Sequence, residues 1–255
     1  MQESYTNFAP YYDILTSNIS YPKRGEYFYS ILEKLNKTSG ILLDLACGTG
    51  SLCESMTTYG YDVIGVDGSS EMLTEAMNKR YESGHDIIYL CQDMQNLDLY
   101  GTIDVCICAL DSINHVIEKD EVKNIFAKIS LFLHPDGIFI FDVNTPYKHQ
   151  KILANNTFIY DYDNVFCAWN NNLAENNIVD IHLDLFCKNK SNTYEKSTED
   201  FSERAYSHEE ILDFINSTNL ELIDFYAEDS FEKPDDSTER IIYVTKSTKG
   251  KNTNE

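Results

Sequence analysis

The densest chemical signal in the chain is the run Asp44-Leu45-Ala46-Cys47-Gly48-Thr49-Gly50, which leads out of an apolar stretch at 41–45. Gly48 and Gly50 let a backbone approach a ligand closely and turn sharply into a helix. A loop of this kind belongs at the carboxyl end of a strand, where open α/β sheets bind ligands. Asp67 ends the next apolar run, 19 residues beyond Gly48, where a carboxylate could accept both hydroxyls of a ribose. Loop and acid together describe a nucleoside cofactor. A dinucleotide site requires G-x-G-x-x-G, and counted from Gly48 the third glycine falls at Cys53. Asp44, at the mouth of the loop, would repel a pyrophosphate and attract the ammonium group of a methionine moiety. That carboxylate favours S-adenosylmethionine over NAD.

The elements that must carry these residues follow from hydrophobic periodicity. Short apolar runs at 41–45, 63–66, 87–90, 103–109 and 138–142 suit parallel strands buried on both faces. Helical patterns lie between them: 69–80, with Ser69 or Ser70 as N-cap, and 118–133, with Val122, Ile125, Phe126, Ile129 and Phe132 at helical spacing. The alternation predicts an α/β fold with a doubly wound, mostly parallel sheet. From about 155 the texture changes to alternating strands at 158–162, 165–169, 178–187 and 194–206. Turns are expected at Asn170-Asn171-Asn172 and at 188–192. A helix at 208–216 capped by Ser207 and two closing strands at 220–227 and 240–246 complete the chain. The expected organisation is a cofactor-binding core at 1–154 with an N-terminal lid helix and an antiparallel β insertion at 155–206. A C-terminal part of the core follows at 207–246, then a frayed, solvated tail at 247–255.

Composition limits the partners. Of the 255 residues, 42 are acidic and 20 are Lys or Arg, giving a net charge of −22. That excess argues against gripping nucleic acid by its phosphates or sitting on an anionic membrane, whereas a cationic or neutral small molecule suits the field. No apolar run approaches the roughly 20 residues that span a bilayer, and the N-terminus lacks the blocks of a signal peptide. Seven cysteines, mostly in apolar runs and with no CxxC or zinc spacing, read as buried thiols of a cytoplasmic protein with no metal.

The chain resembles the class I S-adenosylmethionine-dependent methyltransferases, whose fold is Rossmann-like. Residues 44–50 look like their first motif, with Ala46 where many members carry glycine, and Asp67 like the acid that ends their second strand. Gln92-Asp93-Met94 is similar to the segment that holds adenine, so the resemblance implies that Asp93 contacts the adenine amino group. It also implies that Met72 packs on the adenine face and that Leu110 lies under the cofactor. Tyr5-Thr6-Asn7-Phe8-Ala9-Pro10-Tyr11-Tyr12-Asp13 resembles the N-terminal helix of bacterial small-molecule members such as aminosugar N-methyltransferases, making Tyr5 and Tyr12 lid contacts. The run 142–147 and the antiparallel insertion match the same group.

The acceptor side is read from loop ends. Asp111-Ser112-Ile113-Asn114-His115 is the segment beside the transferable methyl in this family, so Tyr12, Asn114 and His115 are catalytic candidates. His115 could act as base or be a capping residue, and Ser112 and Asn114 could cap the next helix. Asn144, Trp169, His182 and Arg204 are substrate candidates. Trp169 could equally pack the insertion against the main sheet, His182 could face solvent, and Arg204 could pair locally with Glu203 or Glu199. Arg240 reads as a structural ion pair. No N-P-P-Y or D-P-P-Y motif occurs, which weakens a nucleobase or glutamine target. The expected activity is methyl transfer to a small molecule, with nitrogen favoured over oxygen because no dedicated base is evident. The competing readings are an RNA or protein methyltransferase, a non-catalytic S-adenosylmethionine-binding protein and an NAD-linked oxidoreductase.

Overall fold

The computed structural model describes residues 8–189 and 191–250. A short helix α1 (Ala9–Leu15) and a longer α2 (Tyr21–Lys34) precede the first strand. Then come β1 (Gly40–Leu45), α3 (Ser51–Thr57), β2 (Tyr61–Asp67), α4 (Ser70–Ser83), β3 (Ile87–Cys91), β4 (Ile103–Cys108), α5 (Lys119–Phe132) and β5 (Leu133–Asn144). Four further strands, β6 (Thr157–Tyr162), β7 (Val165–Leu173), β8 (Ile178–Lys188) and β9 (Tyr194–Arg204), lead to α6 (His208–Asn216), β10 (Leu220–Ala227) and β11 (Arg240–Ser247).

The seven-stranded sheet runs β10-β11-β5-β4-β1-β2-β3. β1 pairs in parallel with β2 and β4, and β4 with β5, whereas β11 runs antiparallel to both its neighbours. Adjacent residues of a strand face opposite ways, and here both faces are buried. Leu43, Cys106, Phe139 and Phe141 pack against α5 and α6 through Phe126, Ile129 and Phe214. Leu42, Val105, Ile107 and Ile140 pack against α2 and α3 through Phe28, Leu32, Cys53 and Met56. This two-sided burial explains the near-continuous apolar strands. Asp44 sits opposite Gly65 on one neighbour and Ile107 on the other, so the strand order sets it at the middle of the sheet's carboxyl edge.

Helix ends fall where capping chemistry puts them. Ser69 Oγ accepts the Met72 N–H at 3.2 Å. Ser207 and Glu210 form a reciprocal capping box. α1 is tied across the glycine loop: Lys79 Nζ lies 2.5 Å from Asp13, and Thr49 Oγ1 donates to the same carboxylate at 2.7 Å.

The second sheet is an antiparallel meander, β6-β7-β8-β9. Its inner face, with Val165, Cys167, Ile181, Leu183 and Leu185, packs on Phe8, Leu15, Leu153 and Met72. The expected turn at 170–172 is instead the end of β7. Asn171 is buried and accepts the Trp169 indole N–H at 2.6 Å, and the chain reverses at Asn176 and Asn177, both at positive φ. The tail also departs from expectation. Ser247 is buried, the Thr248 N–H bonds the Asn219 carbonyl at 2.8 Å, and Lys249 Nζ donates to the Leu131 and Leu133 carbonyls. Those carbonyls are left open by the end of α5 and attract a cation. Tyr5 and residues 251–255 lie outside the described residues.

Candidate functional site

A cavity of about 680 Å3 opens at the carboxyl ends of β1, β2 and β3. Asp44, Ala46, Cys47, Gly48, Asp67, Met72, Asp93, Met94 and Leu110 all line it, as does Tyr12 from α1. Ala46 and Gly48 take φ of 58° and 53°, and nothing stands within 4 Å of the place a Gly48 Cβ would occupy. Left-handed backbone costs a residue with a Cβ roughly 1–2 kcal/mol, which Ala46 bears as part of the bend. Gly50 is different: it does not line the cavity. A Cβ there would stand 2.3 Å from the Tyr89 hydroxyl, so this glycine serves the packing of α3 rather than a ligand. Both Asp67 oxygens accept backbone N–H groups, from Gly48 and Ser69 at 2.8 Å each, which aims the carboxylate and leaves further lone pairs. Asp93 is held likewise by the Gln95 N–H at 2.8 Å. Asp44 is 2% exposed, accepts from the Cys53 thiol at 3.1 Å, and is pushed up to about 7 by burial. A cation brought beside it would favour the charged form.

A second cavity of about 320 Å3 adjoins the first, and Tyr12, Leu110, His115 and Phe201 line both. Its other walls include Phe158, Tyr160 and Trp169 from the meander, with Asp111, Lys148, Glu203 and Arg240. The boundary rests on two consecutive left-handed residues, Leu110 at φ 59° and Asp111 at φ 55°. Asp142, fully buried at the end of β5, accepts both their N–H groups at 2.8 and 2.7 Å. Arg240 pairs with Asp142 and with Asp111, and holds the Asp111 carboxyl well below the usual carboxylate range.

Several expected site residues are committed elsewhere. Asn114 is fully buried; its amide donates to the Asn144 and Arg204 carbonyls and accepts the Asn144 N–H. With both amide hydrogens and its oxygen so engaged, it staples loops and lines neither cavity. Asn144 is 1% exposed and buttresses Asp111, Lys148 and Glu203. His182 points to the outer face of the meander, 2.7 Å from Asp200 and 3.5 Å from Asp184. Arg204 donates to the Ile117 carbonyl, lies 3.6 Å from Glu210 and covers the Tyr206 ring. Trp169 does reach the second cavity, with its edge against Phe158.

Arg24 and Glu203 are among the lining residues that the sequence did not point to. Arg24, buried in α2, lines the first cavity and pairs with Glu228 at 2.6 Å and Asp142 at 3.6 Å. Its Nε and Nη1 atoms have no hydrogen-bond partner among the described residues. Asp229 also lies 3.4 Å from its Nη2, so the guanidinium is charge-paired already and what its unfilled donors can still take is a further hydrogen-bond acceptor. A lone Arg inside a helical pattern offers no local signal of this. Glu203 lies 4% exposed in the second cavity; beside Arg204 it reads as half of a surface pair.

Comparison with known proteins agrees with this architecture. A family model described as Methyltransferase domain matches residues 42–137. A protein of Bacillus subtilis (strain 168) named "Putative methyltransferase YqeM" is 27% identical, over 96% of this chain and 98% of its own. A glycine/sarcosine N-methyltransferase of Halorhodospira halochloris is 32% identical over 46% of this chain and 44% of its own. The crystal structure of an S-adenosylmethionine-dependent methyltransferase from Clostridium acetobutylicum ATCC 824 superposes with a TM-score of 0.87, at 34% identity, covering 95% of this chain and 98% of that one. Likeness at this identity over the full length carries more than a fold: the chain belongs to the S-adenosylmethionine-dependent methyltransferases, with S-adenosylmethionine as its methyl donor.

Proposed function

We propose that the first cavity holds S-adenosylmethionine and the second a small-molecule acceptor, with nitrogen as the attacking atom in preference to oxygen. The observation that carries the reading is the shared wall. A cavity bearing Asp44, Asp67 and Asp93 at three successive strand ends opens onto an aromatic-lined one through Tyr12, Leu110 and His115. Bound S-adenosylmethionine supplies a methyl group already activated by a positive sulfur. The protein's part is to align two reactants and exclude water, and positioning of this kind contributes about 7–11 kcal/mol.

In this reading Asp67 takes the ribose hydroxyls. Asp93, Met94 and Met72 hold the adenine. Asp44 takes the ammonium of the methionine tail and the open donors of Arg24 its carboxylate. Tyr12 closes the cavity from α1, and Trp169 forms part of the acceptor's wall. Relatives of equal identity include both an N- and an O-methyltransferase, so the preference for nitrogen rests on the aromatic walls of the second cavity, which suit an amine arriving as a cation. Asp67→Ala should weaken S-adenosylmethionine binding at least tenfold by calorimetry while the protein stays folded. An unchanged affinity would remove the ribose assignment. Release of S-adenosylhomocysteine across a panel of amines, phenols, carboxylic acids and nucleosides tests the acceptor class, and transfer to RNA or protein alone would overturn it.

A further inference from the structure

Two carboxylates share the second cavity in unlike company. Asp111 has Arg240 Nη1 at 2.9 Å and the Asn144 amide at 2.6 Å. Glu203, the more deeply enclosed of the two, has only imidazoles as ion-pair partners among the described residues. Its Oε1 lies 3.6 Å from His115 Nε2 and its Oε2 3.8 Å from His149 Nε2, with the Asn144 amide at 3.4 Å. His149 is fully buried, and its Nδ1 lies 2.8 Å from the Asn177 carbonyl. That bond puts the ring hydrogen on Nδ1 and leaves Nε2, which has no hydrogen-bond partner among the described residues, as a lone pair facing Glu203. His115 lines both cavities, so it stands between Glu203 and the place where they join.

We infer that Glu203 is the proton acceptor of this enzyme, taking through His115 the proton of a small amine that binds as its ammonium. The inference rests on the small-molecule, nitrogen-directed reading above and deepens it, while replacing one of its grounds: the fold supplies a base that the sequence did not display. An ammonium has no lone pair with which to attack. Its N–H bond breaks, and the electron pair stays on nitrogen. His115 takes that proton on one side and yields one on the other, ending neutral, and an O–H bond forms on Glu203. The aromatic walls from Tyr12, Trp169 and Phe201 suit a cation before it loses its charge.

The electrostatics agree in direction. Burial pushes Glu203 up to about 8, with Asp111 adding to the rise and Lys148 and Arg240 opposing it. Burial pushes His115 down, against the pull of Asp111 and of Asp67 on the cofactor side. His149, on the far side of Glu203, is also pushed down by burial. The carboxylate is therefore the stronger base of the set, the reverse of the usual order. Environments that drive neighbouring groups apart in this way mark acid and base roles. The ionised fraction of Glu203 grows about tenfold per pH unit below its midpoint, so kcat/KM should climb with pH and level off above about 8.

The test needs no acceptor in its first arm. Imidazole NMR of the protein with S-adenosylmethionine present should show His115 and His149 resonances moving with an inflection near pH 8, absent in Glu203→Gln. Identical titrations in the two proteins would overturn the inference. In the second arm, with the best amine of the panel, Glu203→Gln should lose about 100-fold in kcat and the rise near pH 8. His115→Gln should lose the same rise. Affinity for S-adenosylmethionine should stay within about twofold in Glu203→Gln, since Glu203 does not line the first cavity. Wild-type amine turnover by Glu203→Gln, or transfer confined to hydroxyls, would refute the proposal. Failure of S-adenosylmethionine itself to bind would instead sink the function proposed above, and the imidazole titration would still judge Glu203.

Discussion

The two sheets are built on different principles. The seven-stranded sheet is buried on both faces, so consecutive residues such as Leu42 and Leu43 anchor separate cores. The meander buries one face only; its outer face carries His182, Asp184, Lys196 and Asp200 in an exposed charged network. A two-sided sheet holds the ends of its strands rigidly, and the first cavity sits on those ends. A one-sided sheet tolerates change on its open face while its inner face shapes the second cavity through Trp169 and Phe201. The donor site is thereby tied to the stability of the whole fold, and the acceptor site to a covering that can vary more freely.

The largest expected effect tests the rigid half. Asp142→Ala removes the partner of two buried arginines, Arg24 and Arg240, and the acceptor of two amides. Breaking a buried pair from one side costs about 3–5 kcal/mol, and urea denaturation should register it. A loss below 1 kcal/mol would mean that the strand ends are not the anchor described. Next in size is the donor's response to pH. Asp44 sits near 7 instead of its ordinary 3.8 because burial penalises its charge. A carboxyl raised in this way destabilises the unliganded fold progressively as pH climbs from about 4 to about 7. A ligand ammonium requires the ionised form, so affinity for S-adenosylmethionine should be about tenfold weaker at pH 6 than at pH 8. Calorimetry should show proton release on binding near neutrality; a flat profile would separate Asp44 from the ligand's charge. The smallest effect belongs to the open face. His182→Ala should change stability by less than about 0.5 kcal/mol and leave methyl transfer intact. A large loss of turnover would break the distinction between the meander's two faces.

What could be read from the chain divides along the same line. The donor cavity comes from short runs, 44–50, 66–67 and 92–94, each at a strand end where spacing alone conveys position. The acceptor cavity draws on Tyr12, Asp111, Lys148, Trp169, Glu203 and Arg240, which no local pattern joins. Glu203 and Arg204 show the difficulty. Neighbours in a strand point opposite ways, so the pairing suggested by adjacency is denied by the pleat, and Arg204 turns to Glu210 while Glu203 turns inward. The Asn170-Asn171-Asn172 stretch differs for a related reason: asparagines signal turns when their side chains bond the nearby backbone, and here the Asn171 oxygen takes the Trp169 indole N–H instead.

The clasp of Asp142 on the Leu110 and Asp111 amides carries one more consequence. The joint between the two chambers is a keystone wedged by a carboxylate rooted at the carboxyl edge of the β barricade behind it. Widening the gap between donor and acceptor would demand that both amides let go together. Adjustment to differently sized guests must therefore come from the far walls, with the meeting point left where folding put it.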